Sequence, residues 1–239
     1  MDIFSWIHHC AHDAKLDGVE IWNNHLTSLD DAYLDSVSAA ITNEAVTLYT
    51  VASKLQYGVF SADEVEQAKL TLRTWIAATD RLGAPILRIS IGGNNLGDQE
   101  RKNIVYRSIA EVLDEGSHPH ITVAIENQEP GVVANANDVL AMSSVTSGKV
   151  KLLLDNGSII DKSTVYKFME DSLPYAAGVH VKFFDIRDDG SDRVLDYDRI
   201  MPILRSADYE GYLSIEYDSQ ERASNDVPRI ADYLRSKLS

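Results

Sequence analysis

The chain has 239 residues, 44% of them hydrophobic, which suits one large α/β domain with a sizeable core and does not suit a disordered polymer. Its 22 Lys and Arg stand against 37 Asp and Glu, a formal charge of −15 that repels phosphate backbones and anionic bilayers, so neither nucleic acid nor a membrane is expected as a partner. The single cysteine, Cys10, excludes an internal disulfide framework. No apolar run is long enough to span a bilayer, and Asp2, His8, His9 and Asp13 interrupt any signal-like stretch, so a cytoplasmic location is expected.

Residues 1–16 read as a helix with Ile3, Trp6, Ile7 and Cys10 on one face, followed by a short strand, GVEIW (18–22). Residues 30–41 are predicted helical and AVTLYTVA (45–52) a strand. Ser61 followed by Glu64 is a capping-box signal for a helix that Gly83 stops. The strand ILRISI (86–91) ends in Gly92-Gly93, and a helix over 98–114 leads to HITVAIE (120–126). A helix over 137–144 precedes VKLLLD (150–155), one over 163–171 precedes GVHVKF (178–183), and one over 198–207 precedes YLSIEY (212–217). A helix over 227–238 closes the chain. Apolar strands separated by helices imply parallel βαβ units covered on both faces.

The pattern contains seven strands, whereas a closed (β/α)₈ barrel needs eight. Because the sequence opens in what should be the first helix, the predicted architecture is a TIM-type barrel lacking its first β-strand, one domain over 1–239. The strands flanking the gap would have unpaired edges, so the gap is expected to be covered by a partner subunit, as in a homo-oligomer, or closed by those strands pairing directly.

In such folds function gathers at the C-terminal strand ends. Four strands end in, or carry near the end, a side chain that binds hard metals: Glu126 in AIEN, Asp155 in LLLDNG, His180 in GVHVKF and Glu216 in LSIEY. Any one of these alone is ordinarily a helix cap, a solvated carboxylate or a satisfied core histidine. A barrel, however, aims consecutive strand ends at one point. Three carboxylates and one imidazole suit a single Mn²⁺, Mg²⁺ or Co²⁺, with Zn²⁺ also compatible.

The ordered set GVEIW, RLGAPILRISIGG, AIEN, LLLDNG, HVKFFD and YEGYLSIEY resembles the xylose isomerase-like TIM-barrel superfamily of sugar isomerases and epimerases over nearly the whole chain. The resemblance implies that Glu126, Asp155, His180 and Glu216 bind the metal. It further implies that Glu126 and Glu216 act as acid and base on a sugar or polyol-type carbonyl compound, through a metal-stabilised enediolate. Lys182 matches the lysine of the family's H-x-K motif and is expected to touch substrate. Where many relatives carry a histidine three residues after the aspartate, this chain has Ser158. A metal-dependent sugar or cyclitol dehydratase, and a non-catalytic barrel subunit, are the alternatives.

The other candidate substrate contacts are rim residues: His25, Arg88, Asn127, Ser158 and Arg187. Arg88 lies on the inward face of its strand and must be paired there, either in a structural ion pair, with Glu20 as one partner, or as a handle for an anion. His8 and His12 share a helical face, but no further ligand is evident near them in sequence, so they read as solvated helix surface.

Overall fold

In the computed structural model, which describes residues 1–58, 60–219 and 221–238, strands and helices alternate along the chain. The strands are β1 (Gly18–Trp22), β2 (Thr47–Gln56), β3 (Ile86–Gly92), β4 (Thr122–Glu126), β5 (Lys151–Asp155), β6 (Ala176–Phe183) and β7 (Leu213–Tyr217). The α-helices are α1 (Ile3–His12), α2 (Asp31–Asn43), α3 (Ala62–Leu82), α4 (Gln99–Asp114), α5 (Ala136–Val145), α6 (Val165–Ser172), α7 (Tyr197–Ser206) and α8 (Ala223–Leu238). All seven strands are parallel and pair in sequence order, giving a TIM-type barrel that is nearly closed and lacks one strand.

Local signals set the boundaries. Ser61 and Glu64 form the reciprocal capping box that starts α3, and Gly83, at φ 83°, supplies the left-handed turn that ends it. Ala68, Leu72, Ile76, Thr79 and Leu82 line the buried stripe of α3 at helical spacing. Among the boundaries that differ from the sequence pattern, two strands extend further than expected. β2 runs on to Gln56, because Ser53 to Gln56 stay in register with Ile89 to Gly92 of β3 after the apolar run has ended. β6 begins at Ala176, two residues early, where it pairs with Leu152.

Alternation divides the strand residues between two layers. Outward residues such as Leu87, Ile89, Leu152, Leu154, Val179 and Val181 are fully buried under the helices in one continuous core. Inward residues are scarcer: Ile86, Ala124 and Leu153, with Tyr49 and Ala177 beside them, fill the bottom of the barrel as a separate small cluster. Above that plug the inward positions turn polar.

The flanking strands do not close onto each other. β1 and β7 stand at opposite ends of the strand order and are not paired. Between them is a cavity of about 530 Å³, walled by Trp6 and Cys10 of α1, Leu213 and Ile215 of β7, and Leu234 of α8. Tyr212 plugs its base so tightly that a Cβ on Gly18 would lie 3.1 Å from the ring, which explains a glycine there. Every residue of β7 remains half-exposed, as expected for a strand with a neighbour on one side only. Among the described residues, no helix is long and apolar enough to cross a membrane.

Candidate metal centre

The polar inward layer lies just above the apolar plug. Glu20 on β1, Arg88 on β3, Glu126 on β4, Asp155 on β5, His180 and Lys182 on β6, and Glu216 on β7 occupy it. The register sets their heights: Asp155 lies level with His180, and Lys182 with Glu216.

His180 is the hub and is 1% exposed. Its Nε2 lies 2.9 Å from Glu20 Oε2, while its Nδ1 lies 3.1 Å from Glu126 Oε1 and 3.2 Å from Glu216 Oε1. Neither of these last two approaches has the direction of a hydrogen bond, so Nδ1 is a buried nitrogen without a partner between two carboxylate oxygens. Burial alone would lower the imidazole's pKa. The negative charge of Glu20 and its contacts with Glu126 and Glu216 outweigh burial and raise it well above the usual histidine value.

The carboxylates divide by environment. Burial pushes Glu216 up, but the close approach and charge of His180, with Lys182 and Arg88 nearby, win and hold it down at about 2. Glu20 is likewise pushed up by burial and pulled below its ordinary value by His180. Asp155 goes the other way: burial, reinforced by the charge of Glu216, raises it, and the Ser158 hydroxyl only partly offsets this.

Of the four ligands expected, Glu126, His180 and Glu216 bring ligand atoms within 4.8 Å of one another. Asp155 is not in that group. Its Oδ1 accepts the Gly157 N–H at 2.7 Å and its Oδ2 accepts the Ser158 hydroxyl, so the turn that follows β5 holds the carboxylate to itself. Gly157 is required there, since a Cβ would lie 2.3 Å from Lys182 Cγ.

The remaining expected site residues are distributed as follows. Lys182 reaches both Glu216, at 3.4 Å, and Asp218, at 2.7 Å. Arg88 is 3% exposed, donates to Glu126 Oε1 at 2.5 Å and lies over the Trp22 ring. Its main partner is therefore Glu126, and the Glu20 carboxylate that the sequence offered it is bonded to His180 instead. Asn127 is fully buried and spends its amide on β5, donating to the Asp155 carbonyl and accepting the Asp155 N–H, both at 2.8 Å. That geometry bolts β4 to β5 and turns the amide away from the barrel mouth. Arg187 is tied into its own loop through Ser191 and the Asp192 carbonyl, and His25 is exposed beside Trp6.

Two participants, Trp22 and Lys162, were not assigned roles from sequence, and a third, Glu20, was expected only as a partner of Arg88. Glu20 orients His180. Trp22, 43% exposed at the end of β1, offers an aromatic wall above Arg88. Lys162, in the loop after β5, donates to the Gly157 and Ile159 carbonyls at 2.6 Å and lies over Phe184. The alternation in GVEIW that puts Glu20 on the inward face puts Trp22 there too, so it could have found Trp22; Lys162 left no such signal.

The donor set fits a hard divalent cation. Glu20 accepts from Nε2, the arrangement that leaves Nδ1 free to ligate. Nδ1 is itself the unpartnered atom, and the two oxygens beside it need a cation to offset their repulsion. Glu126, His180 and Glu216 are the residues that would hold the ion, with Asp155 beside them.

No curated protein sequence matches the chain. Among solved structures, a D-psicose 3-epimerase from Clostridium cellulolyticum H10 with D-tagatose superposes with a TM-score of 0.84 at 15% identity, covering 100% of this chain and 94% of that one. The probable 3-DHS dehydratase AsbF from Bacillus anthracis gives 0.78 at 13% identity, over 97% and 93%. A xylose isomerase-like TIM barrel protein from Mycobacterium smegmatis in complex with magnesium gives 0.73 at 14% identity, over 100% and 88%. At these identities the structures share the fold. The family model for the xylose isomerase-like TIM barrel matches residues 9–237, and the chain belongs to that family.

Proposed function

We propose that the protein is a divalent-metal-dependent isomerase or epimerase of a sugar or polyol-type carbonyl compound. The observation that carries this reading is the convergence of Glu126 and Glu216 on one unpartnered nitrogen of His180, at the mouth of the barrel. A bound divalent ion would polarise the substrate carbonyl and offset the negative charge that grows as a proton leaves the neighbouring carbon.

The chain's own residues supply the rest. Glu216 and Glu126 face each other across His180, so that one can take a proton from carbon and the other return one. Arg88 fixes the Glu126 carboxylate, and Lys182, ion-paired to Glu216, is placed to hold a substrate oxygen or an enediolate. Trp22 offers a flat apolar face to a sugar ring or chain.

The test is incubation of the pure protein with Mn²⁺ and a panel of ketoses and cyclitols in deuterated water, followed by proton NMR. The expected result is deuterium at the carbon beside the carbonyl, with an isomer or epimer formed and no water lost. A product that has lost water would replace this reading with a dehydratase. No exchange on any substrate with any of Mn²⁺, Mg²⁺ or Co²⁺ would overturn it.

A further inference from the structure

The second place where the fold gathers metal-ligating side chains is on its outer surface. His8 and His12 stand one turn apart on α1, with ring centroids 4.5 Å apart. The sequence offers them no third ligand nearby; the fold does. Glu44, the residue that caps the C-terminus of α2, reaches across with one oxygen for each ring: Oε1 lies 3.0 Å from His8 Nδ1 and Oε2 lies 2.6 Å from His12 Nε2. Among the described residues, only this trio and the trio inside the barrel bring three His, Cys or carboxylate ligand atoms within 4.8 Å of one another.

We propose that His8, His12 and Glu44 form a second metal site that takes zinc and staples α1 to the end of α2. Two neutral imidazoles and one carboxylate are a donor set zinc favours, with the fourth position left to water. Tetrahedral zinc places its ligand atoms about 3.3 Å apart, from bond lengths near 2.0–2.1 Å, and the trio's ligand atoms already lie within 4.8 Å of one another. The rings are exposed, 60% and 56%, so an ion can enter from solvent, while Glu44 is held at 25%. The C-terminal end of α2, which Glu44 caps, adds partial negative charge on the same side. The barrel centre is richer in oxygen donors, so the two sites differ in metal preference. α1 also walls the cavity between β7 and β1, and a zinc staple would fix that wall.

A nearby contrast provides a control. His118 and His120 also share one carboxylate, that of Asp80, but their ring centroids are 6.4 Å apart and they do not form such a trio.

The test is zinc stoichiometry by equilibrium dialysis and elemental analysis on the intact chain, free of any affinity tag. His12→Ala, and separately Glu44→Gln, should lower bound zinc by about one ion per chain, or weaken that ion's binding roughly tenfold or more, as losing a ligand costs at least what losing an outer partner does. His120→Ala should leave the count unchanged. Subtraction makes the result independent of whether zinc also enters the barrel, and therefore of the proposed activity. Zinc should also raise the melting temperature of the parent chain more than that of His12→Ala. Equal zinc counts in the parent and both variants, with equal melting shifts, would overturn the site.

Discussion

The two glutamates that face each other across His180 belong to unlike parts of the barrel. Glu126 sits on β4, paired on both sides by β3 and β5, with its carboxylate fixed by the buried Arg88. Glu216 sits on β7, which is paired only to β6 and faces the cavity where an eighth strand would lie; its side chain is 23% exposed against 11% for Glu126. One carboxylate is therefore set in a continuous sheet and the other hangs on an edge. The difference teaches that convergence at the barrel mouth does not require equal support. β6 carries the hub and is, among the described residues, the one strand paired to β7, so His180 and Lys182 do for Glu216 part of what a second neighbouring strand would otherwise do.

The sharpest way to break this comparison is to replace each glutamate by glutamine. Glu126→Gln and Glu216→Gln should each lower turnover by roughly 10²–10⁴, the range for loss of a general acid or base, and each should weaken metal binding. They should differ in stability. Glu126→Gln removes the charge beside a guanidinium that is 3% exposed, so it should cost more in the metal-free chain than Glu216→Gln, whose cation Lys182 is more exposed and keeps Asp218 as a second partner. Full metal-independent activity in Glu216→Gln would refute the centre, and equal stability losses would refute the asymmetry.

A smaller effect comes from the apolar side of the same two arcs. Leu154 on β5 and Leu213 on β7 both face outward, but Leu154 is fully buried under helices while Leu213 borders the cavity. Leu154→Ala should cost about 2–5 kcal/mol by denaturant unfolding, and Leu213→Ala about 1–2 kcal/mol. Equal losses would mean that the cavity is filled in solution. Light scattering on the same samples would then show whether a second copy fills it.

How much of this was legible in the sequence follows from the range of each interaction. Strands and helices were readable because their signals are local: apolar runs, the Ser61–Glu64 box and the Gly83 stop. Glu126, His180 and Glu216 were readable because strand alternation and parallel order together aim them at one point. The bond of Glu20 to His180 spans 160 residues, and that of His8 to Glu44 spans 36, so nothing near either histidine in the chain announces its partner. Asp155 shows the reverse case, a short-range contact that went unread. Its place at the strand end was readable, but its contact with Ser158, three residues on, was not read. The open cavity could be inferred from the strand count, but not whether β1 and β7 would close across it, because that depends on how Tyr212 and α1 pack.

Lys182 is where the two arcs meet, and replacing it should give the smallest of these effects. Its backbone is locked: the N–H donates to Asn156 Oδ1 at 2.8 Å, the carbonyl accepts from the Tyr197 hydroxyl at 2.7 Å, and Gly157 lies against the stem. Only the ammonium leaves β6, to reach Glu216 and Asp218 at the edge. Burial lowers its pKa, but the hydrogen bond it donates to Asp218 and the charge of Glu216 outweigh that, so it stays protonated. Lys182→Met keeps the stem and removes the charge. If the ammonium holds substrate, turnover should fall roughly 10²-fold, as for loss of one preorganised donor, with metal content near normal and the melting temperature little changed. Because the ion pair is partly exposed, its loss alone should be worth no more than about 1 kcal/mol. A collapse of stability with turnover per folded molecule intact would instead make Lys182 a strut between β6 and β7, and would assign the support of Glu216 to that strut alone.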